Sequence, residues 1–343
     1  MKGSVVAFDT YRGRPAAARM LDGRLDDLFI DPPDDRIRPG TIYRAKVGRP
    51  LKGQGGAILE TPDGPLFLRQ AKGIGQGESI IVQTGTYAEP GKATPAGLKL
   101  LFKSRFVIVT PGAEGANIAR SIRDEERRVE LHDLLADIAL DQGIGLVVRS
   151  ASAEADDGAV RQDILQTLDL ARQILAEPLS GVPEKLLEGP DAATLAWREW
   201  PAPDVGDADP GSFARHGIDA AISALDHPRE ALPDGGALFV EPTRALTAVD
   251  VNTGSDTSPA AGLKANLAAI RALPRALRLR GLGGQIVVDF APMAKRDRRQ
   301  VEMALTRAFR ADPIETSLVG WTPLGHMELQ RKRERLPLSE VLG

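Results

Sequence analysis

The chain has 343 residues, 42% of them hydrophobic and 27% charged, with a formal net charge of −3. That length allows two or more compact units with cores of their own, and near-neutral charge argues against an indiscriminate nucleic-acid binder. The absence of cysteine excludes a disulfide framework and a thiolate zinc site. The four histidines are scattered, and no apolar window approaches a membrane span, so a reducing cytoplasm is the expected location.

Residues 4 to 31 alternate as short strands, and Asp22-Gly23 is a hairpin signal. Pro32-Pro33 and Pro39-Gly40 break that pattern. From Thr41 to Phe102 five short runs separated by glycine-rich turns predict a five-stranded OB-type barrel, its last strand being L-K-L-L-F (residues 98–102). A strand over Arg105–Pro111, an amphipathic helix over Asp124–Leu140 and a strand ending at Arg149-Ser150 follow, then a helix over Arg161–Ala176. Trp200–Gly211 reads as a polar Pro/Gly linker and Phe213–Leu225 as a helix.

The stretch from Ala245 to Met293 carries the chemistry. If A-L-T-A-V-D-V-N is a strand, Asp250 and Asn252 share one face. Ser258-Pro259 reads as a helix start, Pro274 as a kink and Gly281 as a C-terminal stop. Asp289 then closes a second, buried strand. A strand–helix–strand crossover brings Asp250 and Asp289 onto neighbouring parallel strands. Mg²⁺ needs only one or two protein carboxylates, so this pair suits it, with Mn²⁺ as the alternative and no zinc. Arginines and lysines cluster at 271–280, 295–299 and 331–335, an array that a polyanion could use or that could simply be solvated helix faces.

Three collinear runs carry a family likeness: L-T-A-V-D-V-N-T-G, N-L-A-A-I-R-A-L-P-R-A-L-R-L-R-G-L-G-G and I-V-V-D-F. Together they closely resemble the catalytic core of the ribonuclease E/G family. The resemblance implies a mixed α+β fold in which an OB-fold barrel of the ribosomal-protein S1 kind (37–104) is inserted in an RNase H-like subdomain (1–36 plus 200–235). A 5′-sensor-like subdomain (105–199) and a DNase I-like mixed-sheet catalytic subdomain (236–343) follow. It also implies a Mg²⁺-dependent endoribonuclease that cuts single-stranded RNA to 5′-phosphate and 3′-hydroxyl ends. Asp250 and Asp289 would hold the metal, and Asn252 would orient Asp250. Phe67 falls where that family stacks a base and Lys92 where it reaches the nucleic acid. Arg149 and Ser150 stand at the family's Arg-Thr pair for an RNA 5′-monophosphate.

The chain departs from the family pattern in several places. The loop after Asn252 is shorter and lacks its acidic residues, Pro292 replaces a further aspartate, and Glu315 lies where a supporting arginine is expected. The cysteine pair of longer relatives is absent, so a zinc-linked tetramer is not expected, while an oligomer through another surface is left open. The competing reading is an RNA-binding protein of the same family with little or no catalysis. A third is a metal-dependent phosphatase or nucleotide hydrolase unrelated to RNA.

Overall fold

The computed structural model describes residues 3–51, 55–89 and 91–342. It divides into two compact units, one of residues 34–202 and one combining 1–33 with 203–343.

In the first unit a closed five-stranded barrel forms from Ile42–Leu51, Gly56–Glu60, Leu66–Leu68, Ser79–Thr84 and Thr94–Gly97. The first strand pairs with both the second and the fourth, and the third pairs in parallel with the fifth, as in an OB-type barrel. Tyr43, Val47, Leu59, Leu66, Leu68 and Val82 fill its interior. The fifth strand lies earlier than the sequence pattern suggested. Leu100 and Phe102 are drawn instead into a neighbouring core with Val107, Val109 and Leu146, and Phe102-Lys103 pairs with Val107–Pro111 in a separate four-stranded sheet. Two helices cover that sheet. Glu125–Ala136 is capped by the Asp124 side chain and buries Leu131, Leu134 and Leu135, and Asp157–Leu175 is capped by Asp156.

In the second unit Ser4–Tyr11, Arg14–Leu21 and Arg24–Ile30 form a meander whose turns place Arg12-Gly13 and Asp22-Gly23 at positive φ, the geometry a two-residue hairpin needs. The expected linker supplies a fourth strand, since Val205–Asp207 pairs in parallel with Val5–Ala7. Three residues, Val-Gly-Asp, are too short a run to show a strand period, and an edge strand needs no apolar run. The helix expected over 213–225 is two short helices, interrupted where Gly217 takes φ 66°.

A six-stranded mixed sheet follows, ordered Arg229–Ala231, Ala237–Pro242, Thr247–Asn252, Gly284–Asp289, Met327–Arg331, Thr316–Trp321. Alternate residues Leu238, Val240, Val249, Val251, Ile286, Val288, Met327 and Leu329 face one core, which helices Ala261–Leu279 and Arg298–Ala311 complete with Ile270, Leu273, Leu277, Val301, Leu305 and Phe309. The first of these helices begins at Ala261, not at Ser258, whose hydroxyl is buried and caps nothing. It runs unbroken through Pro274 because the buried stripe on both sides of the proline holds it.

Its end is sharply defined. Gly281 takes φ +65°, Leu282 N–H donates to the Leu277 carbonyl at 2.9 Å, and a Cβ at 281 would lie 1.9 Å from the Leu336 carbonyl oxygen. Gly281→Ala combines a left-handed backbone with a backbone clash. It is expected to cost about 2 kcal/mol or more in urea unfolding. A change under about 0.5 kcal/mol would contradict this packing.

Candidate active site

Asp250 and Asp289 lie on adjacent parallel strands as direct Cα partners. Both point to the face of the six-stranded sheet opposite the helices, and Asp289 keeps 63% of its side chain exposed. Asn252, two residues along, donates from Nδ2 to Asp250 Oδ2 at 2.7 Å and so fixes the carboxylate. Among the described residues neither aspartate has a lysine or arginine within 4.0 Å; the His326 imidazole lies beside the pair, with Nε2 3.7 Å from Asp289 Oδ1. Two carboxylates opposite one another and uncompensated repel. A divalent cation between them would remove that repulsion, which is the sense in which these residues fit a metal. No group of three or more His, Cys, Asp or Glu among the described residues could hold one, so water and substrate would supply the remaining ligands. That sparing coordination suits Mg²⁺.

The segment after Asp289 is firmly held. Asn266, fully buried on the crossover helix, donates to the Ala291 carbonyl and accepts from the Ala291 N–H, both at 2.9 Å. Gly262 permits close approach, because a Cβ there would meet the Pro292 carbonyl oxygen at 2.0 Å. Phe290 packs on Trp321 with ring centroids 5.9 Å apart, and Arg298 lies 4.7 Å over the Trp321 ring. Sequence reading missed Asn266 and His326. Asn266 looks like an ordinary polar residue of an amphipathic helix, and His326 gains meaning only from the return strand that brings it beside Asp289.

The basic clusters separate into two kinds. Arg278, Arg280 and Arg331 are buried, contrary to both the polyanion and the solvated-face readings. Asp312 accepts from Arg278 and, at 2.9 Å, from Arg331, while Asp27 binds Arg335 at 2.6 Å and Arg278 at 3.2 Å. Arg275 and Arg280 both bind Glu230. Lys332 pairs with Glu315 at 2.5 Å. Lys295, Arg296 and Arg299 remain exposed just beyond Asp289.

The other predicted binding residues lie in the first unit. Phe67 alternates with the inward Leu66 and Leu68, so it faces out of the barrel, and its ring lies over Gly56, where a Cβ would come within 2.7 Å. Lys92 is exposed, with its ammonium 2.6 Å from Glu89. Ser150 is exposed at the start of a short 3₁₀ turn. Arg149 is not free. It donates to Glu199 at 2.7 Å and to the Ser104 and Arg198 carbonyls, so a phosphate there has to displace Glu199.

Burial pushes the Glu199 carboxyl up, but Lys103, Arg149 and Arg198 outweigh it and hold it at about 2, against an ordinary 4.5. A lowered folded-state value contributes stability above the unfolded value and loses it as pH falls through the folded one. Glu199→Gln should therefore flatten the acid-unfolding profile between about pH 5 and pH 2, removing a contribution of no more than about 3 kcal/mol. Circular dichroism against pH checks this; identical profiles would contradict it.

A model of the ribonuclease E/G family matches residues 102–208 and 205–334. The chain belongs to the ribonuclease E/G family. It is 29% identical to a ribonuclease E of Nostoc over 95% of its own length, but spans only 56% of that relative. It is 25% identical to a ribonuclease G of Salmonella typhimurium and 26% to that of Escherichia coli K12, covering 78% of each. No helix among the described residues is long and apolar enough to cross a membrane.

Proposed function

We propose that this member of the ribonuclease E/G family is a divalent-cation-dependent endoribonuclease acting on single-stranded RNA, with Asp250, Asn252 and Asp289 as its catalytic set. The observation that carries the reading is the in-register, uncompensated carboxylate pair on an open sheet face, with Asn252 locking one member. Glu241 and Glu328 are exposed on the same face, so without a cation it repels a polyanion. Mg²⁺ bound there would neutralise the phosphodiester and make a water more acidic. Asp250 and Asp289 would hold it, while Asn252 prevents Asp250 from rotating away and Asn266 holds the backbone after Asp289. Lys295, Arg296 and Arg299 supply exposed positive charge for the RNA backbone, and Phe67 offers an outward aromatic surface on the barrel. Attack of that water on phosphorus would form a new P–O bond and break the P–O3′ bond, the proton lost by the water being balanced by one taken up at O3′, which leaves a 5′-phosphate and a 3′-hydroxyl.

The Arg149–Glu199 pair supports cleavage that is indifferent to a 5′-monophosphate. The test is cleavage of a short unstructured RNA over a Mg²⁺ titration, with the product ends identified. The expected result is turnover that needs the ion and yields 5′-phosphate ends. Salt-dependent RNA binding with no Mg²⁺-dependent turnover would instead support the binding-protein reading.

A further inference from the structure

The register of the six-stranded sheet aligns more than the two carboxylates. Arg229 pairs with Phe239, Phe239 with Asp250, and Asp250 with Asp289, so these four side chains form one row across four strands. With strands about 4.8 Å apart, the row spans about 14 Å on the open face. Partners in register point the same way, and the core-facing set (Leu238, Val240, Val249, Val251) points the other.

Phe239 is therefore an aromatic side chain on the face that carries Glu241, Asp250, Asn252, Gln285, Asp289 and Glu328, together with the small or aliphatic Ala237, Ala248 and Val287. It is only partly buried, belongs to none of the hydrophobic cores and is not among the residues packed against them. The main core beneath the sheet is therefore complete without an aromatic there. Arg229, next in the row, is exposed and takes part in no ion pair among the described residues, unlike Arg275 and Arg280, which are held by Glu230.

An aromatic ring one strand from the metal-binding carboxylates, with a free guanidinium one strand further, matches a nucleotide flanking the cleaved bond. Its base stacks on the ring, and its phosphate meets the cation. We propose that Phe239 is the base-stacking, substrate-positioning residue of this active site and that Arg229 binds the neighbouring phosphate. The proposal rests on the nuclease reading for its consequence in catalysis, but the stacking contact itself does not need turnover.

Two measurements on Phe239→Ala, Phe239→Leu and Phe239→Tyr test it. The first is steady-state cleavage of an unstructured RNA with Mg²⁺. The second is fluorescence quenching of a 2-aminopurine walked along that RNA, with Ca²⁺ in place of Mg²⁺. Ala and Leu should each lower kcat/KM by about 10- to 100-fold and abolish quenching at one position, while Tyr restores both to within about threefold of wild type. Leu is the decisive variant, because a purely structural apolar role would tolerate it. Arg229→Ala should weaken binding about three- to tenfold and lower its salt dependence by about one phosphate contact.

If the wild type cleaves nothing, the nuclease reading fails while Phe239-dependent quenching still upholds the stacking contact. Wild-type quenching at every position in Phe239→Leu, or wild-type kcat/KM in that variant, overturns the proposal.

Discussion

Asp250→Asn and Asp289→Asn should each lower Mg²⁺-dependent cleavage by on the order of 10³-fold, and the double variant should be little worse than either single one. Two carboxylates that grip one ion act as a unit, so removing the second after the first has little left to remove. Asn252→Ala should fall in between, at about 10- to 100-fold, because Asp250 keeps its charge and loses only the 2.7 Å hydrogen bond that orients it. The same variants have a signature that does not depend on turnover. The pair is uncompensated among the described residues, so neutralising one member relieves repulsion. In metal-free buffer both Asp→Asn variants are expected to be at least as stable as wild type, and Mg²⁺ should raise the melting temperature of wild type alone. Equal cleavage in wild type and variants, or a variant that melts well below wild type, would contradict the assignment.

The second large effect is structural. Asp312 is 1% exposed in its side chain and binds Arg278 and Arg331, which are 8% and 0% exposed. Arg278 comes from the crossover helix between the two aspartate-bearing strands, and Arg331 from the strand that pairs with the one carrying Asp289. Asp312→Ala leaves the Arg331 guanidinium buried with no carboxylate and takes one of the carboxylates from Arg278, which keeps Asp27, and is expected to cost about 3 to 5 kcal/mol in urea unfolding. Asp312→Asn should cost less, because the amide oxygen still accepts one hydrogen bond. A loss below about 1 kcal/mol for the alanine variant would mean that the network is solvated rather than buried. The contrast with Lys295 and Arg296 is instructive. Their removal should leave stability within about 0.5 kcal/mol of wild type and act on RNA affinity alone.

How much of this could be read from residues alone follows the physics of each signal. Asp250 and Asn252 sit two apart on a strand and Asp289 closes a buried run, so period-two alternation and the crossover rule were enough to bring them together. The barrel was readable because five short apolar runs punctuated by glycines leave few alternatives, yet its last strand was misplaced by the pull of Leu100 and Phe102 toward another core. The arginines misled for a different reason. A guanidinium on an amphipathic helix looks the same in sequence whether it meets solvent, RNA or a distant carboxylate, and Asp27 and Asp312 lie far from Arg278 in the chain. The same holds for Arg149, whose partner Glu199 is supplied by a helix fifty residues later. Phe239 was hidden by its company, since a phenylalanine in a strand ordinarily signals core. Only the register with Asp250 shows that it faces outward.

The most direct measurement is a crystal structure of the protein soaked in Mn²⁺, with the ion located by its anomalous scattering. The account predicts one ion held by Asp250 and Asp289 together, with Asn252 still donating to Asp250 and water completing the shell. Ions bound to each aspartate separately, or none at the pair, would contradict it.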